Sequence, residues 1–212
     1  MCSGRVDLEF ILRAFSNGQD GVFIGGCRLG ECNYVTQGNF DALGNTLLAK
    51  RILKHIGLNP ERLSISFMNA SDGIRLAESI NEFSKAIRGL GPLGKGEGEN
   101  DKGLQLKLDA IRKLVPYLRL VERERLRVPV KTEQAYNDFF ASSEMDHLFK
   151  ELVTDKLAIS EIMMLLKEKS LSTGEIAESL GLNPSEVSRH MKTSSMHGLV
   201  RYDTEQKCYA LA

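Results

Sequence analysis

Tryptophan is absent from the 212 residues. The four cysteines and four histidines are too few and too scattered for a disulfide framework or a histidine-rich metal cage. No run of eighteen apolar residues occurs, and no charged N-terminal segment leads into an apolar one. Neither a membrane span nor a signal peptide is therefore expected, and the expected location is the cytoplasm. Basic and acidic side chains number 28 each, so no global charge draws the chain to nucleic acid or to a membrane surface. What remains is an ordinary soluble composition, 42% hydrophobic and 26% charged, in a chain long enough for two small domains.

The stretch Gly21-Val22-Phe23-Ile24-Gly25-Gly26-Cys27-Arg28-Leu29-Gly30-Glu31-Cys32 organises the first half. Its apolar part, bounded by glycines, has the pattern of a strand buried on both faces, and it delivers two cysteines to a turn where the strand ends. A helix capped by Asp7 precedes it, with Leu8, Ile11, Leu12 and Phe15 on one face. A second helix opens near Asp41, a second strand spans Leu63 to Phe67, and Ser71-Asp72 is expected to cap a third helix carrying Leu76, Ile80, Phe83 and Ile87. This alternation predicts an α/β domain over 1–88 with a parallel βαβ sheet, incomplete because the strand that normally feeds the first helix is missing. Residues 89–103 hold six glycines and a proline and read as a flexible linker. A helical connector, 104–154, follows, with Pro116 expected to kink or end its first helix and Ser143 to open its last. Three helices and two short strands over 155–212 have the order of a winged helix-turn-helix.

Iron–sulfur clusters need thiolates, together with backbone that comes close enough to donate N–H groups to sulfur. Cys27 and Cys32, flanked by Gly25, Gly26 and Gly30, have that character, and Cys2 ahead of a helix is a third candidate ligand. Spacing alone leaves open that Cys27 is a buried strand-end residue and Cys2 a passenger. Zinc is disfavoured, since there is neither a CxxC pair nor a nearby histidine.

Three motifs in order, Cys2-Ser3-Gly4-Arg5-Val6-Asp7, Gly26-Cys27-Arg28-Leu29-Gly30-Glu31-Cys32-Asn33-Tyr34 and Asn69-Ala70-Ser71-Asp72-Gly73, resemble the delta (iron–sulfur) subunit of methyl-viologen-reducing hydrogenases over residues 1–92. The resemblance implies a 2Fe–2S cluster with Cys2, Cys27 and Cys32 as ligands. It also implies a relay of electrons between a hydrogenase, formate dehydrogenase or other donor and a heterodisulfide-reductase-like flavoprotein. Arg28 and Asn33 stand where that family often has histidine, so no proton-coupled role carries over. Family members usually carry about forty further residues ahead of the first motif, and such a cluster normally takes four ligands. The expectation is therefore that the natural chain starts upstream of Met1, with a selenocysteine codon read as a stop. Cys208, in the distal wing, is expected to be a strand residue and not the fourth ligand.

Residues 107–131 carry eight basic side chains (Lys107, Arg112, Lys113, Arg119, Arg123, Arg125, Arg127, Lys131) against Asp109, Glu122 and Glu124. They read as a solvated, internally paired helix face, the alternative being contact with phosphates or an acidic partner. The C-terminal module resembles small winged-helix regulators through Ser172-Thr173-Gly174-Glu175-Ile176-Ala177 and Val187-Ser188-Arg189-His190-Met191. In a reading helix, Ser185, Ser188, Arg189 and Lys192 would face DNA. Lysines and arginines over 156–212 are balanced by as many acidic residues, which leaves little attraction for phosphate and favours docking to protein. The expectation is a non-catalytic electron-transfer subunit. The alternative is a redox-responsive winged-helix transcription regulator.

Overall fold

The computed structural model describes residues 2–34, 38–97 and 101–212, so part of the expected linker, 98–100, lies outside the described residues. Contacts divide the chain into two compact units, Met1–Phe149 and Lys150–Ala212.

In the first unit, a 3-10 turn (Ser3–Arg5) leads into α1 (Leu8–Ser16), whose N-terminus is capped by the Asp7 carboxylate accepting from the Glu9 and Phe10 N–H groups. Strands β1 (Val22–Gly26) and β2 (Leu63–Phe67) pair in parallel, Val22 opposite Leu63 and Gly26 opposite Phe67. Between them runs α2 (Asn39–His55), which buries Leu43, Leu48, Ile52 and Leu53. The expected βαβ unit is therefore present, with two strands in its sheet among the described residues.

Two strands do not bury a strand on both faces. Ile24 and Gly26 of β1 are buried, whereas Gly25 is exposed and Val22 and Phe23 are half-buried. On the Phe23 side lies α3 (Gly73–Leu90), which has no fully buried residue. Of its expected apolar stripe, Phe83 stacks on Phe23 with ring centroids 5.7 Å apart. Ile87 lies where a side chain on Gly21 would stand. Leu76 and Ile80 remain 38% and 42% exposed, and Ile74 on the same helix 80%.

Helices after the glycine-rich stretch complete this unit. α4 (Asp101–Arg125) contains Pro116 in its interior, so of the two expectations for this proline the ending is not met. Its apolar face, Leu104, Leu108, Ile111, Val115 and Leu118, is fully buried, and that burial outweighs the one backbone bond the proline forfeits. Arg112 and Arg119 on α4 pair with Glu9 (3.4 Å) and Asp7 (2.5 Å) at the start of α1. Lys107 donates to the Ile56 carbonyl and Lys131 to the Tyr136 hydroxyl, so several of the segment's basic groups are used inside the unit. α5 (Glu133–Ala141) sets Tyr136 against Phe40 of α2. α6 (Ser143–Phe149) is capped by Ser142, one residue earlier than expected, its hydroxyl accepting from the Met145 N–H.

Residues 91–97 of the expected flexible linker form turns around Arg62, whose side chain is fully buried. Its guanidinium donates to the carbonyls of Asp20, Leu90, Gly91 and Pro92 and pairs with Glu97 at 2.5 Å and 3.0 Å. Burial alone would raise the Glu97 carboxyl, but Arg62 and the Asn59 N–H outweigh it and hold the group below its ordinary range.

The second unit opens on a π-helical turn (Lys150–Thr154) and α7 (Asp155–Glu168). α8 (Thr173–Leu180) starts with a reciprocal Ser172–Glu175 capping box and stops at Gly181, whose φ of +64° suits a residue without a side chain. α9 (Pro184–Met196) is followed by the antiparallel pair β3 (Val200–Asp203) and β4 (Cys208–Leu211). Ile162, Leu166, Ile176, Val187, Met191 and Val200 share one core. This is the expected winged helix-turn-helix.

Replacing Arg62 with Met removes the donors to four carbonyls and strands the Glu97 charge. Breaking a buried pair from one side costs about 3–5 kcal/mol. The measurement is the denaturant midpoint of the first unit's unfolding in the full chain, and an unchanged midpoint would count against the role given to Arg62. Because the folded Glu97 group titrates below its unfolded value, its contribution is present above the ordinary carboxylate range and is lost as pH falls through the folded value.

Candidate metal centre

The C-terminal end of β1 is where three of the four cysteines lie. Ladder bonding continues one step past the strand, the Met68 N–H donating to the Gly26 carbonyl at 2.8 Å, and the next residue is Cys27. A Cβ on Gly26 would lie 3.0 Å from the Phe67 ring and 3.1 Å from Ser3 Oγ. Glycine there lets the N-terminal turn lie against the strand, and that turn carries Cys2. Cys2 Sγ accepts from the Gly4 N–H at 3.4 Å and stands 3.8 Å from Cys32 Sγ. Gly30 turns the loop with a φ of +84°, whereas Gly25 has open space around its Cα. Gly38 carries no signal in the sequence pattern, yet a Cβ there would come within 2.5 Å of Cys32 Sγ.

The thiols differ electrically. Burial pushes the Cys27 thiol up, and the neighbouring Cys32 and Cys2 sulfurs push it further. Cys32 is drawn below the ordinary thiol value, first by the Tyr34 backbone N–H and then by that of Asn39, against the opposing effect of burial.

Two polar residues hold the cysteine turn. Arg28 reaches Asp72 at 2.8 Å, and the Asn69 N–H donates to the same carboxylate oxygen at 3.0 Å. Asp72 thus makes no side-chain cap to α3, contrary to expectation; it ties the cysteine turn to the Asn69–Asp72 loop. The Asn69 N–H and then Arg28 keep its carboxyl below the usual range. Asn39, at the start of α2 and 1% exposed, donates its side-chain amide to the carbonyls of Cys27 and Arg28. Nothing in the sequence pattern singles Asn39 out.

Four tetrahedral thiolates about 2.3 Å from a metal lie about 3.8 Å from one another. The Cys2–Cys32 separation has that length, so these two sulfurs fit one metal ion. No three His, Cys, Asp or Glu side chains among the described residues converge as a cage for a single ion. The Cys27 thiol in turn interacts with those of Cys32 and Cys2.

In the second unit, Ser185, Ser188 and Lys192 are exposed along α9. Arg189 is committed to Asp155 of α7 at 3.0 Å. Its neighbour His190 is buried, which together with Arg189 pushes its imidazole below the ordinary value. Cys208 is a buried strand residue in this unit.

Residues 1–91 match the family described as methyl-viologen-reducing hydrogenase, delta subunit, and residues 160–202 match the arsR family of bacterial regulatory proteins. The chain is 46% identical over 91 residues to an F420-non-reducing hydrogenase iron-sulfur subunit of Archaeoglobus profundus, covering 43% of this chain and 66% of that protein. It is 46% identical over 94 residues to part of the ferredoxin/F(420)H(2)-dependent CoB-CoM heterodisulfide reductase of Methanosarcina acetivorans, covering 44% of this chain and 12% of the matched polypeptide. With the F420-non-reducing hydrogenase vhu iron-sulfur subunit of Methanopyrus kandleri the identity is 36% over 92 residues, 43% of this chain and 69% of the relative.

In the metal-free, reduced protein, Cys32 should react with iodoacetamide faster than Cys27 near neutral pH. The Cys32 rate should level off at lower pH, because its thiolate forms first. Peptide mapping of alkylation against pH reads the order directly, and equal profiles would contradict the electrostatics described.

Proposed function

Because the chain belongs through residues 1–91 to the methyl-viologen-reducing hydrogenase delta-subunit family, we propose that it is an electron-transfer subunit carrying a 2Fe–2S cluster on Cys2, Cys27 and Cys32. The observation that carries the reading is the meeting of Cys2 and Cys32, thirty positions apart in sequence, at 3.8 Å beside the end of β1. When bound, the cluster would take up and release single electrons. The chain's own residues do the rest. Gly38 leaves room for the Cys32 sulfur and Gly26 for Ser3 of the turn that carries Cys2, Arg28 and Asp72 anchor the cysteine turn, and backbone N–H groups face Cys32. Three thiolates account for three of the four ligands such a cluster takes.

The proposed partners are a hydrogenase or formate dehydrogenase-type module on one side and a heterodisulfide-reductase-like flavoprotein on the other. The names of the relatives support this: a matching domain occurs in the iron-sulfur subunit of a hydrogenase and within a polypeptide of a heterodisulfide reductase. The second unit is proposed as a protein-docking winged helix in a soluble, cytoplasmic complex; among the described residues no helix is long and apolar enough to cross a membrane. A redox-responsive regulator is the second reading, favoured by the match to the arsR family. Arg189 committed to Asp155 and the balanced charge of this unit weigh against it.

The full chain, prepared anaerobically with iron and sulfide, should hold about two of each and give a paramagnetic signal on reduction. Cys27→Ser and Cys32→Ser should each lose most of the iron. Iron-free protein would overturn the cluster, and specific DNA retention in a gel shift that changes with cluster oxidation would move the assignment to the regulator.

A further inference from the structure

Among the described residues, Asn39 is the buried side chain whose polar atoms address the cysteine turn from inside the core. It is 1% exposed, and its amide nitrogen lies 2.9 Å from the Cys27 carbonyl, 2.6 Å from the Arg28 carbonyl and 3.7 Å from Cys27 Sγ. All three neighbours are acceptors, which fixes the orientation: the nitrogen, not the amide oxygen, faces the turn. Its backbone N–H is among the groups directed at Cys32. One residue therefore meets both cysteines of the C-x4-C turn, the side chain reaching Cys27 and the main chain Cys32.

A buried amide in this position does two separable things. Its bonds to consecutive carbonyls hold the Cys27–Arg28 and Arg28–Leu29 peptide units, and with them the direction in which Cys27 presents its sulfur. Its contact with that sulfur places a hydrogen-bond donor against a ligand whose electron density rises when a cluster is reduced. Hydrogen bonds to cluster sulfurs are one of the protein's levers on reduction potential, because a donor stabilises the more negative, reduced state.

We infer that Asn39 is a positioning residue for the cluster, which fixes Cys27 and raises the reduction potential by donating to its sulfur. This rests on the cluster reading above. The amide does not touch iron or exchange electrons; it acts through Cys27.

The test uses the full chain, reconstituted anaerobically with iron and sulfide, in wild-type, Asn39→Leu and Asn39→Gln forms. Leucine keeps the branched shape and removes both donors, while glutamine keeps an amide. The expected result for Asn39→Leu is a lower iron content and a more negative midpoint in a redox titration followed by the reduced-state spin signal. The amide has two N–H groups for three acceptors, so the contact with sulfur shares a proton with a carbonyl, and the reduced-to-oxidised ratio at fixed poise should fall by up to about fivefold, the equivalent of one full neutral hydrogen bond. Asn39→Gln should recover much of both. If leucine abolishes the cluster while the far-ultraviolet spectrum is retained, recovery of iron by the glutamine form supports the positioning role. An Asn39→Leu protein with wild-type iron and midpoint, or a glutamine form no better than leucine, overturns the inference and leaves the cluster reading standing. Wild-type protein that binds no iron overturns both.

Discussion

The missing side chain at Gly26 is the constraint on which the site depends. Cys2 and the Cys27–Cys32 turn belong to segments separated by a helix and a strand. Where they meet, the strand end has no Cβ, and one there would crowd the Phe67 ring and the Ser3 hydroxyl of the N-terminal turn. The same economy recurs at Gly38 beside Cys32. Gly26 gives up local chain stiffness for close packing of the Ser3 turn, and Gly38 for close approach to a sulfur.

Around that junction the unit is built asymmetrically. One side of the β1–β2 pair is sealed by α1 and α2, and α4 and α5 pack on those helices. On the other side α3 contributes Phe83 and Ile87 and leaves Ile74, Leu76 and Ile80 in solvent. The ligand-bearing turn thus sits at the edge of a well-packed helical body, fastened to α2 by Asn39 and to the α3 approach by Arg28 with Asp72.

Much of this could be read from residue patterns. Helical periodicity located α1 and α2 and the three helices of the C-terminal module, and Asp7 marked an end that the structure has. The cysteine spacing, taken with Cys2 and the third motif, pointed to the strand end where the sulfurs gather. Other features were hidden for physical reasons. Pro116 announces a break by its local chemistry, yet a buried apolar face carried α4 through it. Asp72 has the residue type and place of a cap, but a guanidinium from a remote loop offered its carboxylate a charged partner. Arg62 and Asn39 carry polar side chains that composition assigns to the surface. Their burial depends on carbonyl groups brought together by tertiary contacts, which no local window contains.

The turns around Arg62 have a further consequence. By composition, residues 91–97 should open and close as independently as any glycine-rich loop. Their carbonyls and Glu97 are instead the solvation shell of a charge with no access to water. A local excursion of this segment would strip a buried cation of its carboxylate partner, a cost of about 3–5 kcal/mol that an ordinary glycine-rich loop does not carry. A segment with the composition of a tether thus supplies, over 91–97, polar partners for a buried charge.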